Sequence, residues 1–68
     1  MWTMGMGRTL KAIRTRKRLT QIELAKRAKV TQPYIVYLER GEQQINPSLA
    51  VLQRLAKALK VTVGELVA

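Results

Sequence analysis

Helix-start signals recur too often along this chain for any element to be long. Thr20 is followed three residues later by Glu23, and Thr62 by Glu65. In such a capping box each side chain can satisfy a free backbone N–H of a first helical turn. Thr31 stands two residues before Pro33, and Asn46-Pro47-Ser48 repeats the combination of cap and proline. A first-turn proline loses no hydrogen bond, because its N–H would be unpaired there anyway. The residue before a proline avoids the helical region, so Gln32 is either the first helical residue or the cap itself. Four starts in 68 residues leave room only for short helices and tight turns.

The apolar spacing fills in the rest. Leu10, Ile13 and Leu19 give a modest stripe for a first helix over about residues 8–18. Leu24, Ala25 and Ala28 share a face of a second helix, and Ile35 and Leu38 an inward face of a third, for which Gly41 is a natural stop. Leu49, Leu52, Leu55, Ala56 and Leu59 recur at spacings of three and four, the strongest amphipathic pattern in the chain. A short fifth helix follows Thr62. No strand-like alternation competes, so the expected fold class is all-α, a compact five-helix bundle. Residues 1–7 (MWTMGMG) read as a flexible N-terminal arm with Trp2 loosely packed on it, and residues 8–68 as one domain.

Composition narrows function. The chain has no histidine, cysteine or aspartate and only four acids, Glu23, Glu39, Glu42 and Glu65. Zinc sites, histidine bases and nucleophile–histidine pairs are therefore not available, and neither an enzyme nor a cofactor is expected. Lack of cysteine fits a reducing interior, and no apolar run approaches the roughly 20 residues that span a bilayer. The formal net charge is +9. Nine basic residues lie in 8–29 against Glu23 alone, whereas 30–68 holds four against three acids. Such a balance implies a polyanion, either nucleic acid or an anionic membrane surface. Few aromatics and no phenylalanine argue against a platform that stacks single strands, and short capped helices argue against a membrane-surface helix.

Within this basic chain, residues 30–38 (VTQPYIVYL) carry no charge. Two short helices joined by a turn of three or four residues have the spacing of a helix-turn-helix, with small Ala25 at the closest crossing. The front of the second helix of such a pair is free to enter a major groove. Arg14 and Glu39 each fall on an inward stripe, and since a lone buried charge is costly they are expected to pair.

LTQIELAKRAKVTQPYIVYLERG, then NPSLAVLQRLAKAL, then VTVGEL resemble, in that order and nearly at that spacing, the phage-repressor and Cro-like helix-turn-helix family, also called the XRE family. The resemblance covers residues 19–66 and implies a lambda-repressor-like bundle, with the motif at helices 2 and 3, that binds operator DNA as a dimer on a palindromic site. It places Gln32 at the base edges, where an amide suits adenine N6 and N7. Pro33, Val36 and Tyr37 are the other base-reading candidates, the first two through thymine methyls. Gln21 would grip a phosphate at the N-terminus of the second helix. Thr31, Tyr34, Arg40, Gln43, Gln44 and Arg14 are the remaining phosphate candidates, with Arg14 and Glu39 as a structural ion pair. Three departures from the family stand out. Lys29 replaces a common turn glycine, so either a lysine takes positive φ or the turn differs. The loop 42–46 looks about two residues longer than is usual in the family and lacks Lys or Arg, and Pro33 and Val36 stand where polar base-readers are common.

The leading expectation is a cytoplasmic, nucleoid-associated transcriptional regulator without an effector domain. Small family members include phage repressors, restriction–modification controllers and antitoxins. An antitoxin, whose main partner is a toxin protein, is the alternative, with Trp2, Val63 and Val67 as its candidate contact patch.

Overall fold

A computed structural model describes residues 5–41 and 47–67 of the chain. The described residues form five helices and no strand: α1 (Gly5–Arg16), α2 (Gln21–Ala28), α3 (Gln32–Arg40), α4 (Leu49–Leu59) and α5 (Val63–Val67). α1 and α2 both pack on α3, α4 packs on α2 and α5, and α5 closes back on α1. Each helix sends at least one side chain to full burial: Leu10, Leu24, Ile35, Leu55 with Leu59, and Leu66. Ala25 and Ala28 are buried as well, which lets α2 lie close to its neighbours.

Every start from α2 onward is made by a side chain acting on its own backbone. Thr20 Oγ1 accepts from the Glu23 N–H at 3.0 Å while Glu23 Oε1 accepts from the Thr20 N–H at 2.8 Å. Donation from the Thr20 backbone N–H, and then from the Thr20 hydroxyl, holds the Glu23 carboxyl below its ordinary pKa. The stabilising effect is therefore present at neutral pH and fades as acid protonates the group. Thr62 and Glu65 repeat the pair, and Ser48 caps α4 through Val51. Thr31 is the cap of α3, accepting from Tyr34 at 3.3 Å, so Gln32 is the first helical residue and Pro33 follows inside the first turn.

Three helix ends share one device. Arg18, Lys29 and Lys60 adopt left-handed backbone, with φ of 60°, 59° and 58°. Beyond each, the next N–H bonds back five residues: Leu19 to Arg14 O, Val30 to Ala25 O, Val61 to Ala56 O. This is the Schellman arrangement, in which the residue after the left-handed position turns into the core. Leu19 is buried, and Val30 and Val61 pack against the core. α3 also ends on a left-handed residue, Gly41, φ 75°. A side chain in this region costs about 1–2 kcal/mol, and Lys29 is exposed. Lys29→Gly is accordingly expected to stabilise by roughly 0.5–1 kcal/mol after the entropy of the unfolded glycine is counted. The check is a higher urea midpoint at unchanged slope; a lower midpoint would contradict the strain.

The N-terminal boundary differs from expectation. α1 begins at Gly5, three residues before Arg8, and ends at Arg16. Met6 is 4% exposed within the core cluster, and Gly7 lies against the last turn of α3. Residues 5–7 therefore belong to the bundle and not to an arm. Their helicity leans on tertiary packing, since two of these three residues are glycines, which disfavour helix. Trp2 lies outside the described residues, as does the loop 42–46.

Candidate nucleic-acid interface

α3 divides cleanly by its 3.6-residue period. Ile35 and Leu38 point inward, at 0% and 3% exposure. Pro33, Val36, Tyr37 and Arg40 stand at i, i+3, i+4 and i+7, one stripe on the opposite side. Pro33, Tyr37 and Arg40 are exposed and Val36 half-buried. Gln32 is exposed beside them at the N-terminal end. This outward face offers an amide, a phenol and two apolar surfaces, with its single charge at the far end.

What fixes the pitch of α3 is a polar network where α1, α2 and α3 meet. Arg14 donates from Nε to Glu39 Oε2 at 2.6 Å and from Nη2 to Glu39 Oε1 at 3.1 Å, a bidentate pair. Its Nη1 donates to the Leu19 carbonyl at 2.7 Å, in the turn that leads into α2. Gln21 adds a third donor to Glu39, Nε2 to Oε1 at 3.1 Å. The amide of Gln21, a candidate phosphate grip, is thus engaged with Glu39 through one of its two N–H bonds. Its other N–H and its backbone N–H at the start of α2 are the donors left for an anion. Arg14 is likewise committed to Glu39 and Leu19, and its pairing with Glu39 is structural.

Thr31 is exposed and its oxygen is spent on the cap, leaving its hydroxyl hydrogen to donate outward. Tyr34 lies at the edge, half-buried and packed against the core. Burial raises its phenol pKa, and the charge of Arg54 partly opposes that rise. Gln43 and Gln44 lie outside the described residues. Val63 and Val67, named for the alternative reading, are half-buried against the core.

Arg54, beside the motif, makes a contact that the sequence pattern does not single out. It falls on the outward side of α4, and its Nε donates to the Ala28 carbonyl at 2.9 Å, tying α4 to the turn between α2 and α3. Only the folded angle between α2 and α4 brings these together, so no local pattern announces the contact. Among the described residues the large exposed apolar side chains are Ile22, Tyr37 and Leu49. Among the described residues there is no acidic cluster able to hold a metal ion, and no helix is long and apolar enough to cross a membrane.

Comparison with known proteins agrees with this arrangement. The chain is 39% identical over 64 residues to an immunity repressor protein of Bacillus phage phi105, covering 94% of this chain and 43% of that protein. It is 40% identical over 62 residues to y4dJ, an uncharacterized HTH-type transcriptional regulator of Sinorhizobium fredii, covering 91% of this chain and 78% of that one. The crystal structure of the restriction-modification controller protein C.AhdI from Aeromonas hydrophila superposes with a TM-score of 0.83 at 38% identity. That match covers 90% of this chain and 89% of the controller. The chain thus spans less than half of the phage repressor, the part that its fold accounts for. Residues 10–66 match the helix-turn-helix family, and with an all-helical bundle built around that motif the chain belongs to the helix-turn-helix family of DNA-binding transcriptional regulators.

Proposed function

We propose that this chain binds double-stranded DNA sequence-specifically, laying α3 in the major groove and acting as a transcriptional regulator by binding alone, without catalysis. One observation carries the reading: an outward stripe on α3 that is uncharged from Gln32 to Tyr37 in a chain of net charge +9. Phosphates attract charge, whereas base edges are matched by amides, hydroxyls and methyl-sized surfaces. Gln32 takes the adenine-type contact, while Pro33, Val36 and Tyr37 supply apolar and phenolic contact to neighbouring pairs. Arg40, Thr31 and the free donors of Gln21 hold phosphates on either side. One motif of this size spans only a few base pairs, so two copies on a two-fold symmetric site provide the footprint of an operator. Its place of action is the cytoplasm, at the nucleoid.

Selection of bound duplexes from a random pool tests this directly. The wild-type protein is expected to enrich a palindromic site. Gln32→Ala should lose discrimination at one base pair of each half-site, by about 1–3 kcal/mol, roughly 5- to 150-fold. A pool that emerges without sequence preference would end the proposal.

A further inference from the structure

Basic groups that the base-reading stripe does not use stand in the α2–α3 turn and on and just past α4. Arg54 stands midway along α4 and is pinned by its Nε to Ala28 O. That bond occupies one of its five N–H groups, so both Nη atoms remain to donate, held in place by the anchor. No carboxylate competes for them: among the described residues the ion pair is Arg14 with Glu39. Lys57 follows Arg54 at i+3 on α4, Lys60 is the left-handed residue just past the end of that helix, and both are exposed. Lys29, exposed, occupies the turn immediately after Ala28. Tyr34, the α3 residue whose phenol feels the charge of Arg54, joins these groups to the base-reading helix.

We propose that Lys29, Tyr34, Arg54, Lys57 and Lys60 form a second track for the DNA phosphate backbone, leading from the side of α3 across the α2–α3 turn onto α4. The inference rests on the DNA-binding reading above and extends it to a surface α3 does not reach. Phosphate is favoured over a protein partner by composition. Protein interfaces are anchored by buried apolar and aromatic side chains and are poor in lysine. This track is three lysines, an arginine and one tyrosine that is itself half-buried against the core, and none of the exposed large apolar residues belongs to it. A backbone of phosphates asks only for spaced cationic donors. The track begins at α3, so it suits strands flanking the bases that α3 reads.

Two measurements on the full chain test it. The first compares wild type with Lys57→Gln/Lys60→Gln on a 30-bp duplex of mixed sequence across a sodium chloride series. Glutamine matches lysine in helix propensity at Lys57. Lys60 lies just past the helix, in a backbone state that is as strained for lysine as for glutamine. Both positions are exposed, so the fold is undisturbed. Each phosphate contact contributes about 0.9 to the log–log salt slope, and the variant is expected to be shallower by about 1–2. The second measures acetylation of the Lys57 and Lys60 amines in wild type with and without duplex, read by mass spectrometry. Protection by the 30-bp duplex but not by a 12-bp duplex places the track on flanking DNA. Protection by both, with capture of a labelled second duplex on duplex-coated beads, places it on another segment. An unchanged slope, or amines as reactive as in the free protein, overturns the proposal. Failure of the parent reading shows itself separately, as no sequence preference in the wild-type selection.

Discussion

Glu39→Ala is expected to cost about 2–4 kcal/mol of folding stability. The Glu39 side chain is 4% exposed and accepts from Arg14 twice and from Gln21 once. Truncation leaves the Arg14 guanidinium, 12% exposed, with the Leu19 carbonyl alone. Removing one partner of a buried pair typically costs 3–5 kcal/mol, because the surviving charge stays desolvated. Arginine can swing part of its fork toward water, which lowers the figure here. A domain of this size is stable by only about 3–10 kcal/mol in all, so the variant should sit near the edge of folding. Glu39→Gln keeps an acceptor but loses the charge and should fall between. Urea unfolding of the two variants decides the matter. A Glu39→Ala midpoint equal to wild type would mean that Arg14 and Glu39 do not hold α1 to α3.

Placing the pair there has a consequence for recognition. Arg14, Leu19, Gln21 and Glu39 connect α1, the following turn, α2 and α3 through four hydrogen bonds. The pitch of α3 relative to α2 is thereby set from the inward side, leaving the outward side free of structural duty. Gln32, Pro33, Val36 and Tyr37 can then vary without loss of fold. On the function proposed above, this division lets one helix be both a core element and a reading head.

How far the chain could be read beforehand follows from where the causes lie. The starts of α2 to α5 are local: Thr20, Thr31, Ser48 and Thr62 act on backbone within three residues. Cap chemistry is visible in sequence for that reason. The split of α3 into Ile35 and Leu38 inward and Pro33 and Tyr37 outward follows from period alone. Positive φ at Arg18 and Lys60 was not visible, because neither is glycine and nothing local forces it; burial of Leu19 and packing of Val61 do. The bond from Gln21 to Glu39 and that from Arg54 to Ala28 span 18 and 26 residues. They depend on interhelical angles that no short pattern encodes. Met6 and Gly7 were assigned to a flexible arm for the same reason.

Gly7→Ala tests that last point with an effect whose sign opposes helix propensity. Taken locally, alanine in place of glycine inside α1 should stabilise by about 1 kcal/mol. A Cβ at Gly7, however, would lie 2.3 Å from the Leu38 carbonyl oxygen and 3.1 Å from that of Glu39. Both are backbone atoms of the last turn of α3, so no rotamer change relieves the contact. The helices must separate, and overpacking of this kind typically costs 1–3 kcal/mol. Separation also pulls on the Arg14–Glu39 pair, which bridges the same two helices. We expect a net loss of about 2 kcal/mol, with weaker DNA binding because α3 shifts in the bundle. Gly64→Ala is the internal control. It also lies in a helix, α5, but its nearest neighbour would be Thr62 Oγ1 at 3.7 Å, an ordinary contact. That variant should be neutral or slightly more stable. If thermal melting ranks Gly7→Ala above wild type, α1 does not approach α3 this closely, and residues 5–7 are no part of the folded unit.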